Sequence, residues 1–206
     1  MLLLLFVLLW ALSCIAAPYP DELVLQHVPT VLVVAGLIAG RRRRWLSRQS
    51  ESLVLLFMTL HVIGARYMYS YVPYDDWSYW LVGQSISSWF GFTRNHYDRL
   101  VHFAYGLLLV SPAREVLSRQ LKPTGRGADW LALQFIVATS AVYEIAEWLV
   151  AVTLAPDWAE HYNGQQGDLW DAQKDMALAA VGAVAGLAVG KLTKYRRSRS
   201  QHFHKS

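Results

Sequence analysis

Cysteine is almost absent from this 206-residue chain, and charged side chains are scarce. Its single cysteine, Cys14, excludes an intramolecular disulfide and a metal cage built from several thiolates. No glycine-rich phosphate loop, nucleotide-binding fingerprint or nucleophile elbow is present in the sequence. These absences argue against the common nucleotide-dependent and serine-hydrolase patterns.

The composition is instead that of a membrane protein. Hydrophobic residues make up 54% of the chain, its mean hydropathy is +0.23, and it contains nine Trp and eleven Tyr, which favour membrane interfaces. The net charge of +4 comes from Arg and Lys that stand in blocks beside apolar segments. This placement predicts membrane topology and membrane lipids as partners, and it argues against nucleic-acid binding.

Six apolar segments have lengths near the one needed to cross a bilayer. We therefore predict an all-α, polytopic transmembrane helical bundle of about six spans that forms a single integral membrane domain over residues 1–206. The predicted spans are residues 2–17, 27–40, 53–71, 100–117, 130–154 and 175–192.

The basic blocks predict the orientation of these spans. They lie at residues 41–48, 114–126 and 191–199, and the positive-inside rule places all three in the cytoplasm. Both termini are then cytoplasmic, and residues 193–206 form a basic tail. The alternative for residues 2–17 is a cleaved signal peptide, because the segment is short and ends in small residues; it lacks the usual basic start.

The sequence NHYDRLVHF at residues 95–103 is the first motif with chemical potential. Asp98 and His102 are one helical turn apart and share a face, so they can bind a metal ion together, or the carboxylate can orient the imidazole for proton transfer. His96 adds a second imidazole nearby. The alternative is structural, with Asp98 capping a helix and His102 as an ordinary interior histidine.

A second motif, YEIAEW at residues 143–148, places Glu144 and Glu147 in an otherwise apolar run. Carboxylates facing lipid are costly, so this face must turn inward. Paired acids of this kind occur in metal sites within helical bundles. The alternatives are a protonated pair or ion pairs with Arg66, Arg94 or Arg99.

The third motif, GDLWDAQKDM at residues 167–176, leads into the sixth span. Asp168, Asp171 and Asp175 share one face if the helix extends back to Asp168. For the first two acids, the alternative is ordinary stabilisation of a helix N-terminus. Asp175 is predicted to point into the bundle, because its face continues into a small-residue stripe that permits close helix packing, at Gly182, Gly186 and Gly190.

The predicted topology brings all three motifs to one membrane face. Two histidines and several carboxylates from three helices could bind a divalent metal ion or form a proton-transfer chain. The candidate catalytic residues are Asp98, His102, Glu144, Glu147 and Asp175. The candidate metal ligands are His96, Asp98, His102, Glu144, Glu147, Asp168, Asp171 and Asp175.

These three ordered motifs resemble the uncharacterised bacterial inner-membrane family that includes YjdF. The resemblance covers about residues 61–190 and implies a polytopic protein of the bacterial inner membrane, without implying a reaction. The segment DRLVHF at residues 98–103 is also distantly similar to VanZ-like membrane proteins, with Arg99 in place of a Lys and with Asp171 or Asp175 as the later acid. That likeness implies a role in the cell envelope.

Three functions fit the sequence. The first is a metal-assisted or acid-base enzyme that acts on a lipid or envelope precursor at the periplasmic face. The second is a small proton-coupled transporter, for which intramembrane acids would be translocation residues. The third is a structural membrane protein in which the polar groups only hold helices together. The sequence does not decide between these three functions, and it does not determine the oligomeric state.

Overall fold

A computed structural model describes residues 1–154 and 165–203 of the chain, and all regular structure in these residues is helical. The predicted all-α fold class is confirmed. In chain order the helices are α1 (Leu2–Cys14), α2 (Pro20–Gln26), α3 (Val28–Arg43), α4 (Arg48–Arg66), α5 (Tyr74–Val82), α6 (Ile86–Phe90), α7 (Tyr97–Leu121), α8 (Arg126–Leu154) and α9 (Asp171–Phe203).

Within the described ranges, four helical stretches are long and apolar enough to cross a membrane. They are Pro20–Arg43, which joins α2 and α3, and then Tyr97–Leu121, Arg126–Thr153 and Asp171–Thr193. Helix α1 is apolar but has only 13 residues, and α4 has charged residues in its first and last turns. The count of six spans therefore stays a prediction.

Helices α7 and α9 form the central contact of the bundle, and α4 and α8 also pack against α7. Glycines allow the two central backbones to touch, because a Cβ on Gly106 would overlap the carbonyl oxygen of Ala179, and one on Gly182 would overlap that of Phe103. Gly190 has no such neighbour within 4 Å. The glycine stripe of α9 therefore contacts α7 at Gly182 and not at Gly190.

Helix α1 packs against α4, and side chains of α1, α3 and α4 form one cluster of buried apolar residues that includes Phe6, Leu37 and Met58. At its other end, the Arg66 guanidinium donates hydrogen bonds to the carbonyl oxygens of Ser13, Ile15 and Ala16. An arginine at a helix C-terminus satisfies carbonyls that lack intrahelical partners.

Ion pairs join the helices at the end of the bundle that holds the basic blocks. Asp129 of α8 pairs with Arg114 of α7 at 2.6 Å and with Lys191 of α9 at 2.9 Å. The Glu115 carboxylate accepts a hydrogen bond from the Ser50 hydroxyl of α4 at 2.5 Å. The three basic blocks thus lie at one end of the helices, and the candidate site lies at the other.

Candidate metal centre

The first turn of α7 is held in place by Asn95. The side-chain oxygen of Asn95 accepts a hydrogen bond from the Tyr97 N–H at 2.9 Å, and its amide nitrogen donates to the Val72 carbonyl at 2.9 Å. Asp98 and His102 follow one turn apart on the inward face of α7, and both are buried. The N-cap position belongs to His96, so Asp98 lies inside the helix rather than capping it.

Asp98, His102 and Asp175 converge between α7 and α9. One ligand atom from each of these three side chains lies within 4.8 Å of the other two. His102 Nε2 is 3.6 Å from Asp98 Oδ1 and 3.4 Å from Glu144 Oε1 of α8. Ligand atoms around a tetrahedral ion with bonds of 2.0–2.2 Å lie about 3.4 Å apart, so these separations fit a metal ion after small side-chain movements.

Among the described residues, no arginine or lysine forms an ion pair with the carboxylates of this group. In the part of the chain that the structure describes, Asp98 and Glu144 form ion pairs with His102 alone, and Asp175 forms none. Glu144 Oε1 and Asp175 Oδ1 are buried and have no hydrogen-bond partner among the described residues. Since an unpaired buried charge is very costly, these acids need protons, a metal ion or a bound cation. We call Asp98, His102, Glu144 and Asp175 the acidic cluster.

Glu147 is adjacent to this cluster but outside its tight core. It lies one turn after Tyr143 on α8, within hydrogen-bonding reach of the Tyr143 side chain and near Asp98 and Glu144. The Tyr143 ring in turn stands edge-on to His102, with ring centroids 6.0 Å apart. Tyr143 is a residue that the sequence analysis missed, although its place beside Glu144 in YEIAEW could have indicated it.

Asp168 and Asp171 lie in a separate set of ion pairs, which we call the arginine network. Arg94 Nη1 is 2.7 Å from Asp171 Oδ1, and Arg99 Nη2 lies between the two carboxylates, 2.5 Å from Asp168 and 3.2 Å from Asp171. Lys174 Nζ approaches Asp168 at 2.5 Å. The structure therefore does not bring these two predicted metal ligands into the acidic cluster.

The expected helical extension to Asp168 is not found, because α9 begins at Asp171. Asp168 instead forms a turn in which its carboxylate accepts the Trp170 N–H at 3.1 Å. The hydrogen bonds from Lys174, Trp170 and Arg99 stabilise the ionised carboxylate and lower the pKa of Asp168 to about 2.

His96 also lies apart from the acidic cluster. Its ring packs against Phe92 with centroids 4.1 Å apart, and its Nδ1 is 3.4 Å from Arg99 Nη1. Partial burial, followed by the positive charges of Arg99 and Arg94, lowers the pKa of His96 below its usual range. His96 therefore contacts the arginine network and is not part of the candidate metal centre.

The alternative in which Glu144 or Glu147 pairs with an arginine is not found in the described ion pairs. Arg66 binds the end of α1, whereas Arg94 and Arg99 bind the aspartates before and at the start of α9. Arg99 lies in the first motif and Arg94 stands just before it. The sequence analysis did not predict that these two arginines form ion pairs with the aspartates of the third motif.

A cavity of about 200 Å³ adjoins the acidic cluster between α4 and α7. Asp98 and His102 form part of its wall, together with His61, whose Nδ1 is 2.5 Å from the Tyr69 hydroxyl. Ser140 of α8 also lines it; this residue is 2% exposed, and its hydroxyl has no hydrogen-bond partner in the described part of the chain. The cluster is thus connected to a space that could receive a ligand.

The donor set of the acidic cluster is one imidazole nitrogen and several carboxylate oxygens. This combination suits borderline or hard divalent ions such as zinc or manganese, and the single Cys14 lies elsewhere, on α1. The same groups could also pass protons, because an imidazole and carboxylates stand within 3.4–3.6 Å of one another.

Comparisons with known proteins agree with the fold. A family model described as "Predicted membrane protein (DUF2238)" matches residues 1–196. The chain is 35% identical over 161 residues to the inner membrane protein YjdF of Escherichia coli (strain K12), which covers 78% of this chain and 73% of YjdF. No solved structure matches. The resemblance identified from the three motifs is confirmed, and the more distant VanZ likeness stays a prediction.

Proposed function

The chain belongs to the DUF2238 family of predicted membrane proteins, and from this premise we propose that it carries a metal centre near the periplasmic end of its bundle. Its similarity to YjdF makes it an inner-membrane protein. The proposed ligands are Asp98, His102 and Asp175, with Glu144 as the fourth. The proposed activity is a metal-assisted or acid-base reaction on a lipid or an envelope precursor.

One observation carries this proposal: two buried carboxylates, the partly buried Glu144 carboxylate and a buried imidazole meet, and no described arginine or lysine forms an ion pair with them. The chain does provide such cations one turn away, and it uses them on Asp168 and Asp171. A cluster with a purely structural role would be expected to pair its acids in the same way, because unpaired buried charge lowers stability. A divalent ion would supply the missing positive charge.

The chemistry follows from the ligands and their neighbours. A bound divalent ion would polarise an ester or phosphoester oxygen. Glu147, beside Tyr143, is the proposed proton carrier. It lies near the cluster but is not among the residues whose ligand atoms converge there. The cavity beside Asp98 and His102 provides space for the reacting group.

The proposed orientation rests on the basic blocks. Arg114 and Lys191 share Asp129, and Arg119 donates to the carbonyl of Arg44, so all three blocks meet at one end of the bundle. The positive-inside rule assigns that end to the cytoplasm. The acidic cluster then faces the periplasm, and we propose six spans with both termini in the cytoplasm.

The test is elemental analysis of detergent-purified protein beside a variant that carries His102→Ala and Glu144→Gln. We expect stoichiometric metal in the parent and none in a variant that still folds. Two matched controls are His96→Ala and Asp76→Asn, which remove an imidazole outside the cluster and a carboxylate at an exposed position of α5. Both controls should retain the metal.

Thermal stability recorded on the same samples separates the alternatives. Absence of metal from the parent after supply of zinc and manganese, together with early unfolding of the double variant, would establish a structural polar network instead. Loss of metal from the His96→Ala variant alone would move the centre towards the arginine network.

A further inference from the structure

The cavity beside the acidic cluster is one end of a longer, mostly apolar groove. A second cavity of about 560 Å³ shares Val33 of α3 and Val54 of α4 with the first. It continues along α3 past Gly36 to Arg41 and Arg44 at the opposite end of the helix. The two spaces together therefore run along most of the length of α3.

Helices α3 and α8 form the two sides of this groove. Val33 and Gly36 line it from α3, and Phe135 and Ser140 line it from α8. These two helices do not pack closely together in the described chain, whereas both α4 and α8 pack against α7. The groove is thus bounded at its base by α4 and α7, and its sides stand apart.

The surroundings of the groove indicate the kind of ligand that it would take. An apolar cavity of about 150 Å³ is already large enough to bind a benzene molecule, so these spaces can hold a substantial hydrocarbon chain. Val54, Phe57 and Val101 give the groove an apolar wall. At the cluster end, the buried Ser140 hydroxyl has no partner among the described residues and could donate a hydrogen bond to an oxygen-bearing group.

From these observations we propose that the groove between α3 and α8 binds the hydrocarbon chain of a membrane lipid whose oxygen-bearing head group lies at Ser140, Asp98 and His102. This inference rests on the proposed function, because the acidic cluster would hold an ester or phosphate head group only with a metal ion to offset its negative charge. It identifies the substrate class of that centre as a lipid with one chain bound along α3.

Gly36 offers a direct test of the groove. No atom lies within 4 Å of the position that its Cβ would occupy, so Gly36→Leu can fill the groove without striking the backbone. Gly190 of α9 also has an open Cβ position and lines neither cavity, which makes Gly190→Leu the matched control.

The experiment reconstitutes each protein in vesicles of phosphatidylethanolamine and phosphatidylglycerol that contain a phospholipid with a photoactivatable diazirine on its acyl chain. After illumination, mass spectrometry of peptides locates the labelled residues. We expect labelling at Val33 and Val54 in the parent, about tenfold weaker labelling there in the Gly36→Leu protein, and no change in the Gly190→Leu protein.

Labelling of the groove no stronger than that of Val142, which faces outward on α8, would overturn the proposal, as would labelling insensitive to Gly36→Leu. Metal content is measured on the same preparations. An unlabelled groove in protein that retains its metal overturns the lipid site alone. A labelled groove in protein that never binds metal overturns the metal centre and leaves a lipid-binding groove.

Discussion

The acidic cluster and the arginine network are neighbours on α7 and α9, yet only the network pairs its aspartates with arginines. In the network, Asp171 is 2% exposed and lies 2.7 Å from Arg94 and 3.2 Å from Arg99. In the cluster, Asp175 lies four residues further along α9 and is also 2% exposed, and one of its carboxylate oxygens has no hydrogen-bond partner within the described residues.

We interpret this contrast as a structural role for the arginine network and as support for the function proposed for the acidic cluster. Paired charges of opposite sign lock two segments together and leave no capacity for a ligand. Unpaired acids weaken the empty protein and are retained where they bind or react, which is the usual compromise at functional sites. The arginine network is therefore expected to fix the relative position of the ends of α7 and α9. The geometry of the acidic cluster is expected to depend on that position.

The largest expected effect is on stability, from Asp171→Asn. This change removes the carboxylate that Arg94 and Arg99 share, and we expect the free energy of unfolding in detergent micelles to fall by about 3 kcal/mol. Asp175→Asn is the matched change in the cluster and should leave the stability of metal-free protein equal or higher, because it removes an acid that has no cation. Equal losses from both variants would abolish the distinction between the two regions.

The next effect is on metal affinity, from Asp175→Asn. Asp175 is one of four proposed ligands and would contribute about a quarter of the binding free energy of a zinc site, so we expect affinity to fall by about 100-fold. Competition with a chromophoric chelator measures this change. Asp168→Asn, which alters the network instead, should bind metal with nearly the parent affinity; a comparable loss there would merge the two regions into one site.

A smaller effect is expected from Gly106→Ala, which tests whether both regions depend on the same helix contact. The added methyl group meets the Ala179 backbone and must separate α7 from α9, at a cost of about 1–3 kcal/mol in unfolding free energy. Stability and metal affinity should decline together. Gly190→Ala adds the same methyl group in open space, and a loss of similar size in this control would show that helix contact is not the cause.

The smallest effect is the pH dependence contributed by Asp168. Its pKa of about 2 lies below the ordinary value of 3.8, so the stabilisation from its ionised form is complete above pH 3.8 and is lost as the pH falls through 2. Asp168→Asn should lower stability at neutral pH and flatten the stability profile between pH 4 and pH 2. Asp76→Asn is the control at an exposed position, and an identical profile for parent and Asp168→Asn would contradict the assignment.

Local spacing was enough to predict part of the site. The four-residue interval between Asp98 and His102 places both on one face of a helix wherever that helix packs. The apolar runs and basic blocks likewise predicted the helices and the membrane class, since burial of apolar surface in lipid depends on composition and length. The expectation for Glu144, that it turns inward, follows from the same cost of placing charge in lipid.

Local spacing could not predict which side chain each aspartate contacts. Asp171 and Asp175 have nearly the same helical phase, but they differ by about 6 Å along the helix axis. That difference places one beside Arg94, which is 77 residues away in sequence, and the other beside His102. The sequence by itself determined which residues share a face; the tertiary structure decided which acids meet a cation, because the axial register of α7 against α9 is set by backbone contact at Gly106 and Gly182.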